Sequence, residues 1–449
     1  MRVKFLKTCV LAISILPWSL AHSDSTGEER TLANGLKIIV QPDNRAPIVN
    51  AQIWYRVGSA YEGNGITGIS HALEHMMFKG TKTSESGAFS RLVSERGGSE
   101  NAFTSSDFTA YYQQWAPENL ETSFVMEADR MRNLILDSSE FVHEKSVVLE
   151  ERSLRVDDQP ISMAYELLKA NAFLTSPYRN PVIGWRADIE ELTISDLKNW
   201  YDSYYHPNNA TLVVVGKVTA DRVFDLAEKH FGDIPAGIIP KEKSRPEVKQ
   251  SGGKHLEFRS SKAKVPHLVI GYKVPSYKQA LMDPEIENWE PFALEVLATV
   301  LSGFDGARLE SSIVRQSKLA TSARASYSWA TLLPELFTFS AIPKKGIPLE
   351  VLENGLKEEL SGLINNPPDE RELKKVIAQT VAGATFQLDS IAYRAMLIGT
   401  LDSVGIDWRI NHGYVDKIKT INGEQVVQVV KKYFVPDLET TVRLIPGVL

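Results

Sequence analysis

A pattern that occurs twice limits this chain more than any other feature of it. Thr193-Ile194, a helical run through Tyr205, Pro207 and an apolar strand over residues 211–215 follow one another, and Thr420-Ile421, a helical run through Phe434, Pro436 and a strand over residues 440–444 repeat the order. Two homologous halves in tandem satisfy this. Between them, residues 234–254 gather Pro235, Gly237, Pro240, Pro246, Gly252 and Gly253 among charged residues and read as an exposed linker. Within each half, strands such as residues 36–40 and 49–57 precede helices, the order of an α+β layer of helices on a largely antiparallel sheet. A length of 449 residues suits two domains, each with its own core. The organisation expected is a first domain over 24–234, a linker over 235–253 and a second domain over 254–449.

Residues 1–21 carry Arg2, Lys4 and Lys7, then an apolar run, then Ser19-Leu20-Ala21, the layout of a secretory signal peptide rather than a membrane span. The expected destination is the bacterial periplasm. Cys9 is the only cysteine and lies in that run, so the exported chain has no thiol, and imidazole and carboxylate are left to bind metal. Removing the three basic residues takes the formal charge from −6 to −9. An acidic surface without clustered lysine and arginine argues against a nucleic-acid partner.

The chemistry gathers at Ile69-Ser70-His71-Ala72-Leu73-Glu74-His75-Met76-Met77-Phe78. On a helix Ile69, Ala72, Leu73, Met76 and Met77 share a face that buries, while His71, Glu74, His75 and Phe78 share another. Imidazoles at i and i+4 reach one metal ion from consecutive turns, and Glu74 between them is placed to take a proton from water. A third ligand is needed. A second helical run, residues 140–154, offers Glu144 and Glu151, seven apart on one face and about 10.5 Å apart along the axis, with apolar Phe141, Val147, Val148 and Leu154. One of the two carboxylates can bind metal while the other orients a ligand.

His71-x-x-Glu74-His75 followed by Glu151 resembles the inverted zinc signature of the M16 metallopeptidases, the pitrilysin, insulinase and mitochondrial processing peptidase family. Met77-Phe78-Lys79-Gly80-Thr81, Glu95-Arg96-Gly97-Gly98, Asn101-Ala102-Phe103-Thr104 and Pro207-Asn208-Asn209-Ala210 extend the resemblance over most of the chain. It implies the M16, LuxS-like fold, one zinc ion per chain on His71, His75 and Glu151, Glu74 as general base, and Glu144 holding a ligand histidine in its tautomer. It further implies that Asn101, Ala102, Phe103 and Thr104 form an edge strand beside the zinc, on which an extended peptide adds itself as another strand.

No second His-x-x-Glu-His occurs beyond residue 254, so the second half is expected to be a scaffold without metal. Its stretch from Leu301 to Leu309, with Arg308, resembles the family segment that supplies an arginine and then a tyrosine to the scissile carbonyl. Thr321 stands where that tyrosine is expected, and Tyr327 is out of register. A tyrosine donor at an oxyanion is worth about 2.7–4 kcal/mol. The expectation is therefore a clamshell dimer, with an M16-like partner supplying the arginine and tyrosine, or a homodimer. The function expected is a zinc endopeptidase acting on short or unfolded polypeptides; the competing reading is a non-catalytic M16-fold structural or peptide-binding subunit.

Overall fold

A computed structural model describes residues 27–241 and 246–447; the expected signal peptide lies outside the described residues. Two sheets organise the chain. The first is built from β1 (Glu28–Thr31), β2 (Lys37–Pro42), β3 (Val49–Tyr55), β4 (Ser99–Thr104), β5 (Thr109–Trp115) and β6 (Ala210–Gly216), in the order β1-β2-β6-β3-β5-β4. The second is built from β7 (Lys254–Ser260), β8 (His267–Val274), β9 (Ala320–Ser326), β10 (Glu335–Pro343) and β11 (Glu439–Pro446), in the order β7-β11-β8-β10-β9.

Without β1, the two orders are the same. The β2–β6 and β7–β11 pairs are parallel and the remaining pairs antiparallel, so the duplication read from the sequence is a duplication of topology. Helices follow the same plan. Ile69–Met76 comes after β3 as Glu290–Ser302 comes after β8, and Ser138–Arg152 comes after β5 as Glu370–Leu388 comes after β10.

Each half builds a core, but the two are not sealed from one another. Alternate residues of a strand face opposite ways. Ile38, Val40, Ile53, Tyr55, Leu212 and Val214 bury under helices of the first half, whereas Ile39, Trp54, Val213 and Val215 join a core made mostly by the second half. Both faces of the first sheet therefore need cover. The helix Ile391–Ser403 of the second half supplies it by packing on β3 and β6, while Pro160–Ala172 of the first half packs on β8 and β11. Ala164, Leu168 and Ala172 close a cluster with Val269, Leu336, Val442 and Leu444.

Buried charges tie the same junction. Asp402 accepts from Lys37 at 2.6 Å, Arg56 at 2.8 Å and Thr211 at 2.7 Å, and Asp43 pairs with Arg394. Nor does the connecting segment run free where it is described. Glu247 accepts the N–H groups of Leu174, Thr175 and Ser176 at 2.9–3.1 Å and pairs with Lys273 at 2.5 Å, and Gln250 is buried against the Glu439 carbonyl. Among the described residues no helix is long and apolar enough to cross a membrane.

Candidate metal centre

The histidine helix, Ile69–Met76, is fixed before any ligand matters. Ile69, Ala72, Leu73 and Met76 are at most 3% exposed, and that face docks the helix and turns His71, Glu74 and His75 the other way. Its N-terminus is set by Gly68 at φ +86°, where a Cβ would meet the Ile183 carbonyl oxygen at 2.5 Å and Gly184 at 2.9 Å. Only a glycine accepts both the left-handed backbone and that approach. Glu62, fully buried, accepts the Gly68 N–H at 2.7 Å and the Ser70 N–H at 2.9 Å, satisfying donors that open the helix. Burial pushes its carboxyl up to about 7 against those two bonds.

The glutamate helix, Ser138–Arg152, starts from Asp137, whose side chain accepts the Ser139 and Glu140 N–H groups. Its inward stripe keeps Phe141 and Val148 from the apolar residues read in the sequence and adds Glu144 and Arg152. Val147 and Leu154 are 39% and 58% exposed. The difference has a physical reason: Glu144 and Arg152 are buried because each has charged partners, which removes the need for an apolar residue in their places. Arg152 is held by Glu166 at 2.9 Å and the Gly184 carbonyl at 2.6 Å. Beyond it Ser153–Asp157 widens into a π-helical turn carrying Arg155.

Between the two helices, ligand atoms of His71, His75 and Glu151 all lie within 4.8 Å of one another. Glu151 Oε2 is 3.6 Å from His71 Nε2 and 3.4 Å from His75 Nε2. Donors about 2.0–2.2 Å from a tetrahedral zinc ion stand about 3.3–3.6 Å apart, so the donor set fits zinc in kind and in spacing. Burial, helped by the neighbouring His75, holds the His71 imidazole down at about 3, neutral with its lone pair free. The other Glu151 oxygen is taken by Arg155 at 2.9 Å, which leaves Oε2 to the imidazoles.

Glu144 does not join that trio. Its Oε2 is 3.2 Å from His75 Nδ1 and its Oε1 is 2.5 Å from Lys79 Nζ. Burial raises the Glu144 carboxyl, but the bonds from Lys79 and His75 outweigh it, and it sits below its ordinary value. An anion there orients the His75 ring so that Nε2 faces Glu151. Burial pushes Glu74 up, opposed by a 2.5 Å hydrogen bond from Thr104 Oγ1. Thr104 ends β4, which is an edge strand; Asn101 on the same strand is exposed, and its Oδ1 accepts the Ala102 N–H at 2.9 Å.

Glu62, Lys79, Arg155, Arg152 and the contact between Gly68 and Gly184 were not singled out as functional from the sequence. Arg155, four residues after Glu151, was open to reading as a helical ion pair. Glu62 acts on Gly68 and Ser70, just across a loop, whereas Lys79, Arg152 and Gly68 meet partners remote in the chain. In the second half, Arg308 is held by Glu372 at 2.8 Å on two nitrogens and by the Asn366 carbonyl, and Tyr327 donates to the Pro275 carbonyl at 2.5 Å. Thr321 Oγ1 is 3.3 Å from the Ile342 carbonyl. His255 there comes near Glu353 and Glu439. Lys357 bridges those two carboxylates at 2.8 and 2.7 Å and Arg443 reaches Glu353 at 2.8 Å, so their charge is already met by cations.

Residues 37–185 match the family model described as Insulinase (Peptidase family M16), and residues 191–380 match the one described as Peptidase M16 inactive domain. The chain belongs to peptidase family M16. Zinc protease PqqE of Helicobacter pylori is 31% identical over 423 residues, 93% of each chain. The crystal structure of a protease from Helicobacter pylori superposes on this M16 chain with TM-score 0.86 at 31% identity, over 94% of this chain and 100% of that one. The periplasmic protease PqqL from Escherichia coli shares the fold at TM-score 0.78 and 16% identity, over 94% of this chain and 48% of that one.

Proposed function

We propose that this M16 chain is a zinc-dependent endopeptidase hydrolysing short or unfolded polypeptides, with one zinc ion on His71, His75 and Glu151 and Glu74 as general base. The convergence of three ligand atoms within 4.8 Å beside a desolvated carboxylate carries the reading. Bound on those three residues, zinc would supply Lewis acidity for the scissile carbonyl and would bring the pKa of water toward about 7. Every other task falls to the chain. The open edge of β4 pairs with an extended peptide through backbone groups, which makes recognition tolerant of side chains. Glu74, lifted by burial, takes the proton of the attacking water and returns it to the departing amine. Glu144 and Lys79 keep His75 in one tautomer, and Arg155 keeps Glu151 from rotating.

Closure around the peptide requires a second body. The two halves here share one core across their junction, which argues against a hinge between them, and Arg308 and Tyr327 are engaged within their own half. We assign the missing arginine and tyrosine to an M16-like partner subunit or a second copy. The PqqL chain, of which this one spans about half, has room for a second unit of the same size in one polypeptide. The proposed compartment is the periplasm, on the residue 1–21 pattern and in keeping with PqqL.

The test is zinc content and cleavage of a quenched unstructured peptide by the exported form, beside Glu74→Gln, with molecular mass recorded. Zinc near one per chain and cleavage lost in Glu74→Gln are expected. Cleavage undiminished in Glu74→Gln would overturn the mechanism, and an absence of zinc would overturn the site. Zinc without cleavage in the isolated chain, restored by an M16-like partner, would establish the obligate pair.

A further inference from the structure

The duplication places a counterpart of the metal site in the second half. Along the helix Glu290–Ser302, Phe292-Ala293-Leu294-Glu295-Val296 stands where the histidine helix has His71-Ala72-Leu73-Glu74-His75. Both histidine positions hold core residues, Phe292 at 1% and Val296 at 0% exposure. Asp369 caps Glu370–Leu388 as Asp137 caps the glutamate helix, and fourteen residues after each cap stand Gly383 and Glu151. All three ligands are replaced. The carboxylate matching the proposed base remains.

What surrounds it is a cavity of about 520 Å³, lined by Glu295, Gly383, Trp329, Tyr393 and Tyr414 among others. Glu295 Oε1 accepts from the Tyr414 hydroxyl at 2.6 Å, whereas Oε2 is buried without a hydrogen-bond partner. No cation of the described residues pairs with this carboxylate, and burial pushes it up to about 7. Trp329 and Tyr414 lie nearly parallel, 5.9 Å apart. The wall opposite is thin, since Glu370–Leu388 buries only Leu373 and Val376 and a Cβ at Gly383 would meet nothing within 4 Å.

An orphaned carboxylate oxygen in an aromatic cavity is suited to a group that brings both positive charge and apolar carbon. We propose that this cavity binds an alkylammonium or guanidinium group, its charge on Glu295 and its carbon chain against Trp329 and Tyr414. A metal ion is a poorer occupant, because one carboxylate alone is a weak donor set. The cation can come from a free amine or from a lysine or arginine side chain of a peptide.

The test is calorimetric titration of the full chain with n-butylamine, with doubly capped lysine and with n-butanol as the uncharged shape. Saturable binding of at least one cation is expected, weakened about tenfold or more by Glu295→Gln and not matched by n-butanol. Gly383→Met fills the cavity, keeps the carboxylate and is expected to abolish binding, which preserves the test should Glu295→Gln fold poorly. Binding of n-butylamine alone assigns a free amine, and binding of capped lysine assigns a peptide side chain. No saturable binding of either cation, or equal affinity in both variants or for n-butanol, would overturn the proposal. Neither variant touches the first half's ligands or Glu74, so failure of the peptidase reading leaves this result intact.

Discussion

Thr104 Oγ1 lies 2.5 Å from Glu74 Oε2, so the edge strand β4 and the helix carrying the proposed base meet at one hydrogen bond. The proposed binding surface and the proposed base are thereby held in one geometry. Beside the backbone it is proposed to offer a peptide, Thr104 uses its hydroxyl to fix the rotamer of the half-buried Glu74 carboxylate.

Thr104→Val removes that donor and keeps the shape. A hydrogen bond to a charged group is worth about 1.5–3 kcal/mol, so kcat/KM on a quenched peptide is expected to fall about 10- to 100-fold at full zinc loading. Thr104→Ser restores most of it. Unchanged kinetics in the valine variant would remove Thr104 from the machinery.

Glu144→Gln leaves His75 Nδ1 without an anionic acceptor and Lys79 without its carboxylate. Zinc affinity, measured by competition with a chromogenic chelator, is expected to drop about 10- to 100-fold. Glu151→Gln is expected to lose more, since it alters a proposed ligand rather than the support of one. Equal affinities for Glu144→Gln and the parent chain would refute the supporting role.

Gly399 touches the Trp54 ring of the first sheet so closely that a Cβ would lie 2.0 Å from it. Gly399→Ala must push the helix Ile391–Ser403 off β3, at a cost of about 1–3 kcal/mol for an overpacked core. In urea, far-ultraviolet dichroism and tryptophan fluorescence are expected to report one shared transition at a lower midpoint. Two separate transitions in the parent chain would show that the halves fold independently.

Acid should loosen the same junction. Burial raises the Asp43 carboxyl, but hydrogen bonds from Arg45 and the Arg394 guanidinium outweigh it and bring it from 3.8 to about 2. The folded state therefore binds that proton less readily than the unfolded chain. Its contribution is full above about pH 4 and is lost as pH falls toward 2. Asp43→Asn is expected to lower the melting temperature at pH 6 and to flatten its decline between pH 4 and 2; parallel curves for the two proteins would refute the linkage.

Much of this was legible in the sequence because it rests on local periodicity. Helix spacing alone put His71, Glu74 and His75 on one face and Ile69, Ala72, Leu73 and Met76 on the other. The tandem pattern gave two equivalent sheets, since each copy repeats the strand and helix order. In the glutamate helix, hydropathy did not separate the buried Phe141 and Val148 from the exposed Val147 and Leu154, nor reveal that Glu144 and Arg152 bury beside them. Glu62 was passed over because its value comes from capping the N-terminus of another element. The exposed linker was read from composition, which says nothing of the three N–H groups that Glu247 accepts.

By itself the sequence determined the elements, the duplication and the donor types for a metal site, because helix and strand periodicity is local and a repeated order can be compared along the chain without coordinates. Tertiary structure decided which carboxylate stands with the imidazoles and which stands behind them, because Glu144 and Glu151 share a helical face and are separated only by what that face meets. It decided also that each half covers the other's sheet. That exchange follows from the need to bury both faces of β3 and β6, and no stretch of chain contains that requirement alone.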